Sequence, residues 1–131
     1  MFEELSQYPS DQFIFRPCDL LEEVCNAPKE SCGIFLIYEL NEENSRLVYI
    51  GSSNKMSSAS CKPGLFEKIV HAEDYDGVPG KIFFYMNLIK SDAEGLNFHW
   101  YETTNDEPEK IADLLVRKYS DVHGNLPDWN L

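Results

Sequence analysis

Gly33-Ile34-Phe35-Leu36-Ile37-Tyr38-Glu39-Leu40, then Asn41-Glu42-Glu43-Asn44-Ser45, then Arg46-Leu47-Val48-Tyr49-Ile50-Gly51: these three consecutive stretches decide the fold. The outer two are rich in β-branched and aromatic side chains, which suit a pleated, half-buried surface. The middle one is polar and carries the Asn and Ser residues that favour turns. Two such runs joined in this way predict an antiparallel hairpin.

Downstream, Ser52 to Pro63 has no periodicity and reads as a loop carrying Lys55 and Lys62. Gly64 to Glu73 places Leu65, Phe66, Ile69 and Val70 on one helical face, with Lys68 and His71 neighbours on the other. Asp74 to Gly80 is a turn-rich acidic loop. Lys81 to Ile89 is apolar almost throughout and predicts a central strand. Leu96 to Thr104, with Phe98, Trp100 and Thr103 among polar residues, predicts another. Asp106 stands three residues ahead of Glu109, a capping-box spacing, and Pro108 suits a first helical turn. The helix that follows carries Ile111, Ala112, Leu114, Leu115, Tyr119 and Val122 as a wide inward stripe, and Gly124-Asn125 stops it. The aromatic end Leu126-Pro127-Asp128-Trp129-Asn130 predicts a tail folded back on the core.

Upstream, Asp19 ahead of Leu20, Leu21, Val24 and Cys25 predicts a short capped helix. Tyr8 with Phe13, Ile14 and Phe15 predicts an apolar anchor. Residues 1–31 thus read as an N-terminal extension packing on the core, and residues 32–131 as a single globular domain. The expected class is α+β: a small mixed β-sheet of three to four strands flanked by helices. Phe35, Tyr49, Phe84, Trp100, Leu115 and Tyr119 are expected in or beside one core.

The 131 residues suffice for one hydrophobic core, and 43% apolar with 13% aromatic content is that of a globular chain. Eleven Lys and Arg stand against 23 Asp and Glu, a formal charge of −12. Non-specific DNA affinity comes from Lys and Arg neutralising phosphates, so this balance predicts weak or absent DNA binding. The acidic start Met1-Phe2-Glu3-Glu4-Leu5 has no apolar segment behind it, and no run approaches the length of a membrane span. A cytoplasmic protein with reduced thiols is therefore expected. Cys18, Cys25, Cys32 and Cys61 show no zinc spacing. Glycine-rich phosphate loops, nucleophile elbows and His-Glu-x-x-His motifs are absent from the sequence.

Gly33-Ile34 with Tyr49-Ile50-Gly51, the Gly64-Leu65…Lys68-Ile69-Val70 helix and the closing Leu126-Pro127…Asn130 together resemble the GIY-YIG nucleases, over about residues 32–130. In that family a tyrosine-assisted water attacks phosphorus, an arginine stabilises the developing charge, and a glutamate holds one divalent metal. The resemblance places the second tyrosine at Tyr49 and the first at Phe35, which keeps the ring without the hydroxyl. It places the arginine at Lys68, a point charge in place of a planar fork, with His71 beside it. It places the metal-binding glutamate at Ala112, which should face Tyr49 and cannot ligate.

The leading expectation is a catalytically inactive or very weak GIY-YIG-like protein that acts by binding a protein partner, with no metal or cofactor. One alternative is a DNA endonuclease that uses Tyr49, Lys68 and His71, with Glu109 as ligand to Mg²⁺ or Mn²⁺. Against it, Glu109 is accounted for as the reciprocal arm of the cap. Others are an inactive subunit paired with an active nuclease, and an acidic DNA-mimicking inhibitor of a nucleic-acid enzyme. The sequence leaves the oligomeric state open.

Overall fold

The structure is a computed structural model and describes residues 2–53, 63–103 and 105–130. The hairpin consists of β2 (Gly33–Leu40) and β3 (Ser45–Ser52), antiparallel and in register from Ile34↔Ser52 to Leu40↔Ser45. A bulge between Ile37 and Tyr38 leaves Val48 as an extra residue on β3. Val48 and Tyr49 therefore both side with Phe35 and Ile37, while Leu47 and Ile50 point the other way.

The N-terminal segment, after a 3₁₀ turn at Glu3–Gln7, contributes a strand of its own, β1 (Ser10–Phe15). β4 (Gly95–Glu102) pairs with β1 on one side and with β2 on the other. The sheet has four strands in the order β1-β4-β2-β3, every pair antiparallel. The class is α+β.

Helices cover both faces. On one face lie α1 (Leu21–Val24), α2 (Leu65–Val70) and α3 (Gly80–Ser91). Their Leu21, Ile69, Val70, Phe84 and Leu88 meet Phe35, Ile37, Leu96 and Phe98 from the sheet. On the other face α4 (Pro108–His123) sets Ala112 and Leu115 against Ile34, Leu36 and Ile50. The expected single core is thus two, divided by the sheet: Phe35, Phe84, Trp100 and Tyr49 on one side, Leu115 and Tyr119 on the other.

The run from Lys81 to Ile89, expected as a central strand, is helix α3. Its apolar residues point both ways. Phe84 and Leu88 are fully buried, whereas Ile82, Tyr85, Met86 and Ile89 are 43%, 44%, 60% and 51% exposed. A helix apolar on every side shows no 3.6-residue contrast, so periodicity cannot separate it from a buried strand.

The expected caps also differ. Glu107, not Asp106, is the N-cap of α4, with no side-chain cap bond. Asp106 instead accepts a hydrogen bond from the Tyr8 hydroxyl at 2.5 Å. The inward stripe of α4 is narrower than the sequence suggests, since Leu114 and Val122 are exposed. Leu20, not Asp19, is the N-cap of α1, because Asp19 accepts from the Arg16 amide. Cys18 and Cys25 are free thiols, but Cys32 is disulfide-bonded, against the expectation of reduced cysteines throughout. Lys55, Cys61 and Lys62 lie outside the described residues.

The C-terminal tail folds back as expected. As the last strand in the order, β3 has an open side, and unpaired strand edges recruit other chains. The Trp129 amide donates to the Val48 carbonyl at 2.9 Å. The Asn130 side chain accepts from the Ile50 amide at 2.9 Å and donates to the Ile50 carbonyl at 2.8 Å. An amide side chain there stands in for the backbone of a fifth strand. Asp128 meets Arg46 at 2.5 Å, and Arg46 also lies 3.5 Å from the buried Glu39.

Candidate functional site

Tyr49 and its surroundings form the candidate site. Its ring sits among Phe35, Tyr75 and Phe84, with centroids 5.8, 6.1 and 5.9 Å away. Gly51 is what permits this arrangement. A β-carbon there would stand 2.4 Å from the Phe35 ring and 2.7 Å from that of Tyr49. Gly33 is equally constrained, since a β-carbon would meet the Tyr101 carbonyl oxygen at 2.0 Å. Burial pushes the Tyr49 hydroxyl up to about 12, with the charge of Asp74 adding to the effect. The phenol is therefore a proton holder at neutral pH and a poor base.

Phe35 is completely buried, deep behind Tyr49. Lys68, on α2, binds Asp74 at 2.6 Å, and its ammonium lies 5.8 Å from the centre of the Tyr75 ring. The Tyr75 hydroxyl donates to the Lys68 carbonyl at 2.5 Å, which fixes the loop to the helix. His71 turns toward Glu67, 4.0 Å away, and the Phe66 ring. The structure therefore brings Lys68 beside the Tyr49 cleft through Asp74 and does not add His71 to that group.

Ala112 does not face Tyr49. It is buried against Ile34, Leu36 and Ile50 on the opposite face of the sheet. The bulge sets this: it turns Tyr49 toward α3 while α4 packs behind. Glu109 is exposed on the first turn of that same α4, so the shifted-ligand arrangement is not assembled either. Among the described residues, no three His, Cys, Asp or Glu side chains gather closely enough to hold a metal.

What the fold does assemble is a cleft of about 190 Å³, lined by Tyr49, Asp74, Tyr75, Asp76, Phe83 and Trp129, with Asn130 at its side. Four elements supply it: β3, the loop ahead of α3, α3 itself and the C-terminal tail. Asp76-Gly77 is a two-residue turn with φ of 60° and 82°, closed by the Val78 amide on the Tyr75 carbonyl at 3.2 Å. That is the type I′ geometry an Asp-Gly pair favours, and it sets Tyr75 and Asp76 in place. The Asp-Gly pair is a legible turn signal in the sequence. Nothing local indicates that the turn meets Trp129, more than fifty residues onward.

Other cavities have different characters. One of about 670 Å³ runs along the outer side of α3, past Val78, Phe83, Met86 and Ile89. Another of about 470 Å³ lies beneath α4, walled by Tyr38, Tyr101 and Tyr119. Both are larger, but the Tyr49 cleft alone among these three joins a largely buried phenol to two carboxylates. No helix in the described residues is long and apolar enough to cross a membrane. Comparison with protein families, with curated proteins and with solved structures finds no match to this chain.

Proposed function

We propose that the chain is a GIY-YIG-like scaffold that acts by binding a protein partner and does not cleave DNA. The observation that carries this reading is the charge at the Tyr49 cleft. Lys68, the cation the resemblance assigns to phosphate, is held by Asp74, and Asp76 adds a second carboxylate. One positive and two negative charges leave the cleft repelling a phosphodiester rather than gathering it. The exposed apolar side of α3 supports the protein-binding half of the reading, because exposed apolar surface commonly marks an interface. With a net charge of −12, a partner with a basic surface fits best.

Supercoiled-plasmid nicking and duplex gel shifts, with Mg²⁺ or Mn²⁺ at physiological salt, test the proposal. Neither cleavage nor a shift is expected. Cleavage that Tyr49→Phe abolishes would establish a working nuclease and overturn the reading.

A further inference from the structure

The Tyr49 cleft has a composition that the proposed loss of nuclease chemistry does not explain. Four aromatic residues and two carboxylates line it together. Tyr75 and Phe83 stack at 5.4 Å, and Tyr49 meets Tyr75 edge-on at 6.1 Å, so packing fixes the ring orientations. Ring faces carry negative partial charge and attract cations. The Tyr49 hydroxyl, lining this cleft, finds no hydrogen-bond partner among the described residues. Lys68 engages only Oδ2 of Asp74, and Asp76 forms no ion pair among the described residues. One uncompensated negative charge therefore remains beside the rings.

Size and lining narrow the occupant. At about 190 Å³ the cleft is smaller than the pockets that enclose drug-sized ligands, roughly 300–1,000 Å³, so it suits a head group or a side-chain tip. A hard divalent ion needs several converging oxygens, whereas here two carboxylates line the cleft and one of them already holds Lys68. An anion would meet Asp74 and Asp76. The protein already provides a precedent for the remaining class, since the Lys68 ammonium lies against Asp74 and the Tyr75 ring on this same loop.

We infer that the cleft between the Asp74–Asp76 loop and the C-terminal tail binds an alkylammonium group. The group is either the head of a small amine or the methylated tip of a lysine side chain on another chain. This inference stands whether or not the protein-partner proposal holds, because a free amine needs no partner.

The test uses choline, its uncharged tert-butyl isostere and an acetylated trimethyllysine amide, each titrated into the full chain. The ligand methyl signals are followed by NMR, where ring currents give an upfield shift on binding. A saturable shift is expected for choline, with the isostere weaker by about tenfold or more. Tighter binding of the trimethyllysine amide than of choline identifies a protein side chain as the source; the reverse identifies a free amine, and either supports the site. Trp129→Leu should weaken choline about tenfold, and Asp76→Asn about two- to fivefold, as befits a solvent-screened charge. Asn suits the type I′ turn as well as Asp does, so Asp76→Asn keeps the fold while removing the charge. Equal binding of choline and its isostere, no saturation, or a shift that survives both substitutions would overturn the inference.

Discussion

Gly51 and Phe35 show how a sequence signature can carry packing where it suggests catalysis. The space above Gly51 is filled by the rings of Phe35 and Tyr49, so the glycine is required by the core whatever the site does. Gly51→Ala should destabilise the protein by about 1–3 kcal/mol through overpacking, read as a lower urea midpoint. Phe35→Tyr, the change that the GIY-YIG resemblance suggests, is expected to lose stability by about 1–3 kcal/mol, because the new hydroxyl enters a fully buried site. A Phe35→Tyr protein as stable as the parent, by the same urea measurement, would show that a partner for that hydroxyl exists. Tyr49 was legible in the sequence from its place in Tyr49-Ile50-Gly51. Which way it points was not, because that depends on a one-residue bulge that leaves no mark in the apolar pattern.

The elements were legible in proportion to the contrast between their two sides. β2 and β3 alternate or run apolar between clear turn residues, and α4 has Pro108 at its start and Gly124, at φ 80°, at its end. α3 has no polar side, so its helical state is decided by what the sheet accepts and not by its own pattern. Phe84→Ala should cost about 3–5 kcal/mol, since that ring is fully buried against Phe35 and Phe98. Met86→Glu with Ile89→Lys should stay within about 0.5 kcal/mol and should lower binding of a hydrophobic dye. A loss like that of Phe84→Ala would mean that this side of α3 is covered in solution. The capping-box spacing of Asp106 and Glu109 misleads because Tyr8, from a distant segment, takes the Asp106 carboxylate first. The tail is a further element without regular structure. Asn130→Ala removes two bonds to Ile50 and should destabilise by about 1–2 kcal/mol, with faster hydrogen exchange at the Ile50 amide as the direct readout.

Across the whole molecule, phenols that hold their protons set the behaviour in alkali. Tyr8 and Tyr49 are pushed up to about 12 and Tyr75 well above 10, in each case chiefly by burial. A phenol that keeps its proton longer when folded contributes stability that is fully present below the unfolded value near pH 10 and is lost as the pH rises through the folded one. Stability should therefore fall steeply from pH 10 toward 12, with phenolate absorbance lagging behind that of free tyrosine until unfolding. Absorbance that titrates fully near pH 10 while the fold persists would contradict this. The candidate cleft was the least legible feature, since its Asp74, Asp76 and Trp129 meet only after the chain has closed round the sheet. That same closure ties two properties together. Trp129 walls the cleft, and its neighbour Asn130 shields the open side of β3, so a guest that requires Trp129 can be held only while the tail is docked. By reciprocity, occupancy depletes the undocked population by the factor 1 + [L]/Kd, and a small cation would act as a latch that keeps one copy of the chain from zipping onto the next.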